Sequence, residues 1–474
     1  MFSMQDKKPY NIRIVSTYLP RKCGIATFTK DLTWGLLELT KEIGNVKIAA
    51  INNNNGPYNA PVDLIIEQYN SRSWERTIDK IVLKAHENEN PTIVLLQHEY
   101  GLDPDKEGRN GLGNNYVNMA RTFKTKELLT FVYLHTVLRS PNEHQKKILQ
   151  ELADNSDGLI VTTKSAIDIL ASDIYHIKPA KIKHIDHGIR VQNPLNDRLA
   201  TKEEFGLEKQ LLITTLGLRG PGKGIENSIE AYSKFINTSC TQAQREKLVY
   251  LIAGEYHPEF VKFENGKIYQ QYEAKIRDTL EKSGLDWCKT EKLSDVDFKK
   301  KDVVFLETFL SEELLLKLYT ATNMMVLPYL NMDQISSGIL ADTLGSGRVA
   351  IATKFMYACE LLNPEYKDKE GIIGIEDPHA RGILVDPGEP SIDQIAQGID
   401  YLAFDKDKRI EIEYRARIRG HEMRWDYIAQ KLVEHIDFIM GEKYRQTGRG
   451  PMFIREKESL YDEKNRQILN NYNS

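Results

Sequence analysis

Short apolar runs alternate with amphipathic helical patterns along most of the chain. In the first half, runs of the length typical of buried strands occur at residues 11–16, 47–51, 92–96, 128–134, 158–163 and 181–185. Helical patterns fall between them, near residues 26–40, 74–87, 142–153 and 164–172. Because strands that alternate with helices form βαβ units, this half predicts a parallel sheet covered by helices on both faces. We assign residues 1–190 to this first doubly wound α/β domain.

A polar, irregular stretch at residues 191–209 interrupts the alternation, and we interpret it as an interdomain linker. Strand-like runs then return at residues 211–216, 248–253, 303–306, 324–327, 349–352 and 382–385. The helical patterns of this half lie at about 225–237, 268–283, 312–322, 337–345 and 391–403. Residues 210–415 are therefore predicted to form a second doubly wound domain. Open α/β sheets bind ligands beyond the carboxyl ends of their strands, so two such domains facing each other predict a cleft.

The pattern becomes helical after residue 405. We interpret residues 416–445 as C-terminal helices and residues 446–474 as a polar tail. One apolar face is predicted from side chains at helical spacing, namely Ile428, Leu432, Ile436 and Ile439. A basic group precedes it, made of Arg415, Arg417, Arg419 and Arg424. This group marks a solvated helix face or, alternatively, a peripheral contact with a membrane.

Composition and charge restrict the class of protein. The 474 residues are 41% hydrophobic and 28% charged with a net charge of −4, which is ordinary for a globular protein and argues against nucleic-acid binding. No apolar run approaches the ~18 residues that span a bilayer, and the N-terminus lacks the apolar core of a signal peptide. The four cysteines lie far apart, which argues against a zinc or redox motif and suits a reducing compartment. We therefore expect a cytoplasmic protein.

Polar residues and a glycine follow three predicted strands of the first domain. Gly24 comes after the first strand, where a helix N-terminus would offer free N–H groups to an anion; a tight strand-to-helix turn is the alternative. His98, Glu99 and Tyr100 lie at the end of a later strand, and His135 ends the next one. Carboxyl ends of parallel strands meet at one edge of a sheet, so these side chains are expected to converge. A lone histidine is usually structural, but two at equivalent strand ends favour a functional site.

The loop after the first strand of the second domain combines glycines with two cations. It reads GLRGPGKG over residues 217–224. An arginine offers a planar fork to phosphate oxygens and a lysine offers a mobile charge, so Arg219 and Lys223 are predicted to hold a diphosphate beside Gly217. The spacing of the Walker P-loop is absent. A glycine-rich turn with a solvated lysine is the alternative.

A second loop follows the strand at 324–327 and leads into a helix. The small residues Ser336, Ser337 and Gly338 at its start would let helix N–H groups approach a phosphate or a sugar hydroxyl. Asp342 lies eight residues after Gln334 and is placed to accept hydrogen bonds from ribose hydroxyls. A solvated helix aspartate is the alternative.

Several stretches resemble retaining family-4 glycosyltransferases of the GT-B fold, and most closely their mannosyltransferase-like bacterial branch. They are residues 18–28 (YLPRKCGIATF), 97–101 (QHEYG), 135–138 (HTVL), 187–189 (HGI), 216–226 (LGLRGPGKGIE), 253–258 (AGEYHP) and 328–353. The resemblance implies two Rossmann-like domains facing across a cleft and a C-terminal helix that crosses back to the N-terminal domain. It also implies transfer of a hexose, with mannose as the first expectation, from GDP-mannose or a UDP-sugar to a sugar or glycan acceptor.

The resemblance also implies roles for the candidate residues. Arg219 and Lys223 match a basic pair that holds the donor diphosphate. Gly24 matches a glycine loop beside the phosphates, and His135 matches a histidine near the transferring sugar. His98, which we count among the catalytic residues with Arg219, Lys223 and His135, or else Glu99 is assigned to orienting the acceptor, and Tyr100 is placed on the acceptor side.

Gln334 and Asp342 fall on the two acidic positions of the family's E-x7-E motif. The first acid of that motif contacts the sugar and the second contacts the ribose. Asp342 keeps the ribose role, whereas Gln334 forms hydrogen bonds but supplies no carboxylate. The choice of donor therefore stays open.

Neither a cofactor nor a metal ion is expected. Three D-x-D strings begin at Asp103, Asp295 and Asp405, and we interpret all three as solvated loops because none follows a strand end convincingly. Two other enzyme classes use a similar scaffold, namely sugar phosphorylases and nucleotide-sugar epimerases. A non-catalytic nucleotide-sugar-binding protein is the remaining alternative, and Gln334 is the feature that favours it.

Overall fold

The computed structural model describes residues 9–39, 41–53, 56–103, 114–190, 198–363 and 369–447. These residues form two compact units. Unit 1 consists of the chain up to Gly188 together with the chain from Trp425 onward, and unit 2 consists of Ile189–Arg424. Residues 191–197 of the predicted linker and 448–474 of the predicted tail lie outside the described residues.

Unit 1 is built on a sheet of seven parallel strands within the described part of the chain. The strands are β1 (Tyr10–Ser16), β2 (Ile43–Asn52), β3 (Val62–Glu67), β4 (Thr92–His98), β5 (Thr130–Leu134), β6 (Gly158–Val161) and β7 (Ile182–His184). Their order is β3-β2-β1-β4-β5-β6-β7, and Ile14 of β1 pairs with Ile48 on one side and Leu95 on the other. The carboxyl ends of β1 and β4 thus form a topological switch point, where open α/β sheets bind ligands.

The helices between the strands of unit 1 match the predicted helical patterns, except for the one at residues 114–125, which was not predicted. They are α1 (Gly24–Leu37), α2 (Ser71–Glu87), α3 (Asn114–Thr125), α4 (Glu143–Asn155) and α5 (Lys164–Ala171). Phe28 and Leu32 of α1 are buried against strand side chains that include Ile14 and Tyr133. This packing holds the start of α1 at the carboxyl edge of the sheet.

Unit 2 is also built on seven described parallel strands. They are β8 (Leu211–Leu216), β9 (Leu248–Ala253), β10 (Trp287–Thr290), β11 (Val303–Leu306), β12 (Met324–Leu327), β13 (Val349–Thr353) and β14 (Ile383–Val385). The order is β10-β11-β9-β8-β12-β13-β14. Its switch point lies between β8 and β12, whose carboxyl ends lead into the two loops singled out from the sequence.

Helices cover unit 2 on both faces of its sheet. They are α6 (Arg198–Glu204), α7 (Ile225–Ser239), α8 (Gln242–Arg245), α9 (Pro258–Lys262), α10 (Lys267–Ser283), α11 (Glu312–Ala321), α12 (Gly338–Gly345), α13 (Met356–Leu362), α14 (Pro390–Ala403) and α15 (Lys406–His421). Two apolar clusters result. Ile213 and Ile229 belong to one, and Leu212 and Leu340 belong to the other. Successive residues of β8 point to opposite faces, so one strand contributes to both cores.

The last described helix, α16 (Trp425–Thr447), belongs to unit 1. Its apolar face packs on α1 and contributes Trp425, Ile428, Leu432 and Ile436 to the core. Gly35 of α1 allows this close approach, because a Cβ there would lie 2.6 Å from the carbonyl oxygen of Trp425. The apolar periodicity read from the sequence is the cause of this packing.

Several elements differ from the sequence interpretation, and helices α3, α8, α9 and α13 had no counterpart among the predicted helical patterns. Strands β3 and β10 lie at the outer edges of the two sheets and had no counterpart among the predicted strands. Every second residue of β3 from Asp63 onward is exposed, so its sequence lacks a continuous apolar run. The predicted linker contains α6, because Thr201 and Lys202 are buried in unit 2. The interpretation of residues 198–204 as irregular is therefore wrong.

Candidate functional site

Gly24 lies at the N-terminus of α1, beyond the carboxyl end of β1. The preceding Cys23 provides no side-chain cap, and a Cβ at Gly24 would meet no atom within 4 Å. The connecting loop is fixed by Arg21, whose Nη1 donates to Gln68 Oε1 at 2.8 Å. The first N–H groups of α1 are thus uncapped by a side chain at an open position. This arrangement suits an anion.

His135 follows β5 and is buried beside α1. Its Nε2 lies 2.9 Å from Oε1 of Gln97, and the ring of Phe28 meets it edge-on at 4.8 Å. Burial, followed by the neighbouring His187 and His98, lowers the pKa of His135 to about 3. The imidazole is therefore neutral near pH 7. In the tautomer that carries its proton on Nε2, the ring donates to Gln97 Oε1 and presents Nδ1 as an acceptor.

His98 occupies a different environment from His135. It is fully buried, and neither ring nitrogen has a hydrogen-bond partner within the described ranges. Its ring contacts Tyr100 and Tyr116 of α3 edge-on, at centroid distances of 5.0 and 5.4 Å. Successive residues of a strand point to opposite faces, so His98 faces α3 whereas Gln97 faces His135. The two side chains thus leave opposite faces of the strands, although His98 is near enough to help lower the pKa of His135. The catalytic assignment of His98 stays a prediction.

Glu99 links the ends of β4 and β5. Its carboxylate accepts a hydrogen bond from the Thr136 hydroxyl at 2.5 Å and one from the Tyr100 amide at 3.0 Å. Burial raises the pKa of the Glu99 carboxyl above its usual value. The Tyr100 hydroxyl donates to the carbonyl of Gln145 at 3.3 Å. Both residues therefore stabilise the edge on which an acceptor would be oriented, and that role stays a prediction.

Asp103 corrects one interpretation from the sequence. It is buried, and its carboxylate accepts hydrogen bonds from Asn115 Nδ2 at 2.7 Å and from the Tyr116 amide at 3.0 Å. It therefore anchors the start of α3 instead of lying in a solvated loop. The second aspartate of the string, Asp105, lies outside the described residues.

We expect the free energy of unfolding to fall as pH is lowered from about 7 to 4. The pKa of His98 is lowered by burial to about 3, whereas a histidine in an unfolded chain has a pKa of about 6.5. Between these values the unfolded state binds a proton that the folded state does not, so stability is lost as pH falls through this window. Urea unfolding monitored by fluorescence at several pH values measures the effect. The variant His98→Phe should flatten the dependence, whereas His379→Gln, at an exposed histidine, should leave it unchanged. Identical curves for all three proteins would contradict the expectation.

In unit 2, the loop from Gly217 to Gly224 joins β8 to α7 and is held by close backbone contacts. A Cβ at Gly224 would lie 2.1 Å from the carbonyl oxygen of Pro328, and one at Gly254 would lie 2.2 Å from that of Gly217. The Leu330 amide donates to the Gly222 carbonyl at 3.0 Å. The loops after β8, β9 and β12 therefore pack directly on one another at the switch point.

Arg219 is buried at the base of this loop, with 4% of its surface exposed. Its Nε donates to the Gly254 carbonyl at 2.7 Å, and its Nη2 donates to Glu307 Oε1 at 2.9 Å. The guanidinium carbon lies 4.1 Å from the ring centroid of Tyr256. The remaining nitrogen, Nη1, is buried without a hydrogen-bond partner among the residues described. A buried donor left unpaired is costly, and it marks a position that suits a ligand acceptor.

Lys223 stands at the end of the same loop and is half-buried. Its Nζ lies 3.7 Å from the ring centroid of Tyr329, which follows β12. No ion pair of Lys223 occurs with the described part of the chain. The ammonium is thus positioned by an aromatic face and keeps its charge available.

The loop after β12 places Gln334, Ser336 and Ser337 just before α12. Gln334 Nε2 donates to the Ser336 carbonyl at 2.8 Å, so Gln334 lies outside the helix that contains Asp342. Ser337 caps α12 by accepting a hydrogen bond from the Leu340 amide at 3.3 Å. Gly338 begins the helix.

Asp342 lies on the inner part of α12, with 9% of its surface exposed. Its Oδ1 accepts a hydrogen bond from the Arg190 amide at 3.2 Å. It is therefore not a solvated helix residue. Contact with a ribose stays a prediction.

Four residues that hold candidate site residues in position were not among the site residues predicted from the sequence. Glu307 and Tyr256 fix Arg219, Tyr329 supports Lys223, and Gln97 fixes His135. Each of them follows a strand or ends one, which is a signal present in the sequence. Their partners could not be read there, because the contacts join different loops.

Metal-binding clusters and membrane-spanning helices are both absent from the described residues. Among the described residues, no group of three or more His, Cys, Asp or Glu side chains is arranged to hold a metal ion. Within the same ranges, no helix combines the length and apolar character needed to cross a bilayer.

No protein-family model and no curated protein matches this sequence. Solved structures share its fold. HepE from Anabaena in complex with UDP is 14% identical, with a TM-score of 0.62 over 90% of this chain and 99% of that one. Sucrose-phosphate synthase from Thermosynechococcus elongatus is 14% identical, with a TM-score of 0.63 over 92% and 98%. A UDP-forming α,α-trehalose-phosphate synthase from Burkholderia xenovorans is 11% identical, with a TM-score of 0.61 over 90% and 100%.

These neighbours are glycosyltransferases of the GT-B fold, and this chain shares their fold through its two parallel sheets flanked by helices. The prediction of an α/β, GT-B-type fold with two doubly wound domains is confirmed.

Proposed function

We propose that this chain is a glycosyltransferase that moves a hexose from a nucleoside-diphosphate sugar to a carbohydrate acceptor. The proposal rests on one observation, namely that two cations lie in one loop at the switch point of unit 2. Arg219 holds an unpaired buried N–H donor, and Lys223 holds an ammonium on an aromatic face. The fold is shared with proteins whose structures contain UDP and UDP-glucose.

The leaving group of such a transfer is a diphosphate, on which negative charge grows as the anomeric bond breaks. Arg219 is preorganised by Glu307 and the Gly254 carbonyl, so it need not rearrange as that charge develops. Donors fixed in this way stabilise a transition state by roughly 2.7–4 kcal/mol each. The mobile Lys223 neutralises a second part of the same charge.

Unit 1 supplies the residues assigned to the sugar and the acceptor. The free Nδ1 of neutral His135 is suited to accepting a hydrogen bond from a hexose hydroxyl. Gly24 offers helix N–H groups to phosphate, while Glu99 and Tyr100 shape the acceptor side. We propose retention of configuration by front-face attack, in which the donor phosphate helps to deprotonate the acceptor. We also propose independence from a metal ion.

Two donors are favoured by different observations. The structural neighbours bind UDP or UDP-glucose, which favours a UDP-hexose. The sequence resemblance to the mannosyltransferase-like branch favours GDP-mannose. Gln334 in place of an acid removes a charged contact to the sugar, and Asp342 is assigned to the ribose of either nucleotide.

Incubation with UDP-glucose, GDP-mannose and UDP-N-acetylglucosamine tests the proposal. We expect one donor to release its nucleoside diphosphate faster when sugar or sugar-phosphate acceptors are added. Proton NMR of the product would show the donor's anomeric configuration retained, and excess chelator would leave the rate unchanged. Nucleotide release at a rate that no acceptor changes would contradict the proposed transfer to a carbohydrate acceptor.

Other outcomes point to the rival classes. Phosphorolysis of a glycoside without nucleotide would indicate a phosphorylase, and conversion of a UDP-sugar without acceptor would indicate an epimerase. Tight nucleotide binding with no turnover of any donor would indicate a non-catalytic binding protein. Any of these results would overturn the proposed transfer.

A further inference from the structure

Unit 2 contains a cavity with a strongly cationic lining, apart from the candidate donor site. It has a volume of about 390 Å³. Its charged lining consists of Arg198, Lys202, Lys406, Arg409, Glu208 and Glu413. None of these residues takes part in the candidate donor site.

The floor of this basic cavity lies at the amino ends of the strands. Lys202 is buried there, with Nζ 2.7 Å from the Gln210 carbonyl and 2.5 Å from Asn323 Oδ1. Gln210 directly precedes β8, and Asn323 directly precedes β12. The donor loops leave the opposite, carboxyl ends of the same two strands. The six residues of β8 therefore separate the two sites by about 20 Å.

Cations exceed anions in the lining. Arg198 pairs with Glu413 at 2.8 Å, which leaves three cations facing Glu208 as the remaining carboxylate. Lys406 is exposed and forms no ion pair with described residues. Arg409 donates hydrogen bonds through Nη1 to carbonyls at the end of α14. The other N–H groups of its guanidinium group stay available.

The neighbouring cations contribute to lowering the pKa of the buried Lys202. Burial, together with three neighbouring guanidinium groups, lowers the pKa of Lys202 to about 7. These groups belong to Arg198, Arg409 and Arg348. Arg348 is itself buried and donates only to carbonyls. An anion in the cavity would relieve this repulsion.

We propose that the basic cavity binds the phosphate group of a small phosphorylated metabolite. The excess of positive charge suits a phosphate anion, and the available guanidinium fork of Arg409 with the ammonium group of Lys406 suits its oxygens. The volume exceeds what phosphate alone fills and lies in the range of small-ligand sites. Leu199 and Ile410 add apolar surface to the lining for the rest of the molecule. This site goes beyond the proposed transfer reaction and does not depend on it.

Isothermal titration with inorganic phosphate and with glycerol 3-phosphate, each in the presence of saturating UDP, tests the proposal. The titrations are repeated with saturating GDP, so that either proposed nucleotide blocks the donor loop and the remaining binding reports on the cavity. We expect saturable binding of both probes, with glycerol 3-phosphate the tighter if an ester is the natural ligand. Inorganic phosphate binding at least as tightly would assign the cavity to free phosphate instead.

Two variants keep the test independent of folding. Lys406→Glu reverses an exposed charge at the start of α15, where a carboxylate suits the helix, and should weaken binding about tenfold. Leu199→Glu adds a carboxylate at an exposed position of the lining and should weaken it similarly. Lys292→Glu, at an exposed lysine outside the cavity, should leave binding unchanged.

The results separate this proposal from the proposed function. Lys406→Glu should retain turnover of the nucleotide sugar, because Lys406 is remote from the donor loops along β8. Unchanged phosphate affinity in both cavity variants, or loss of binding when UDP is added, would overturn the cavity site. Neither result would affect the assignment of Arg219 and Lys223.

Discussion

Replacing Lys223 with alanine is expected to lower kcat for sugar transfer by about 10²–10³-fold while the protein stays folded. The Lys223 ammonium lies 3.7 Å from the ring centroid of Tyr329. Loss of a half-buried cation–π contact costs about 0.5–2 kcal/mol, which a folded unit tolerates. Loss of a charge that meets the leaving diphosphate acts mainly in the transition state. Steady-state kinetics with saturating donor should therefore show a larger change in kcat than in KM.

A matched substitution controls this experiment. Lys292→Ala removes an exposed lysine of the same unit and should leave both constants unchanged. Arg219 is a less clean probe, because its removal also leaves Glu307 without its guanidinium partner. Wild-type turnover in Lys223→Ala would remove the proposed leaving-group role.

Replacing Gly224 with alanine should destabilise unit 2 by about 3 kcal/mol or more. Gly224 has a φ of 60°, and a Cβ there would lie 2.1 Å from the carbonyl oxygen of Pro328. Because that atom belongs to the backbone, β12 and its loop must shift to make room. The shift would also displace Lys223 and weaken donor binding.

Urea unfolding and hydrogen exchange of the α7 amides measure the effect. Gly222→Ala is the matched control in the same loop, because a Cβ at Gly222 meets no atom within 4 Å. We expect the control to unfold like the wild type. Equal stability of the two alanine variants would contradict the proposed backbone packing at the switch point.

Sequence patterns predicted the central strands because those strands are buried on both faces. β9 and β12 are continuous apolar runs, β8 is apolar apart from Thr214 and Thr215, and the observed bounds of all three match the predicted ones. The edge strand β3 was missed because one of its faces is polar. Helix α6 was missed because its burial depends on Lys202, a residue type that usually marks the surface.

The sequence was sufficient to predict which residues belong to the candidate site, but not which contacts hold them in place. Arg219 and Lys223 could be located because glycines mark the turn between β8 and α7. That Arg219 would be held by Glu307, more than eighty residues away, could not be read from spacing. His98 and His135 lie on opposite faces because successive residues of a strand alternate between faces. Predicting this from the sequence would require knowing at which residue β4 ends.

The packing of α16 into unit 1 has a consequence for synthesis on the ribosome. The apolar surface of α1 emerges early, but Trp425 and Leu432, which cover it, are translated only after the whole of unit 2. At about 5–20 residues per second, this delay is on the order of tens of seconds. Throughout that interval the apolar face of α1 on the nascent first half stays uncovered, which favours its binding by chaperones.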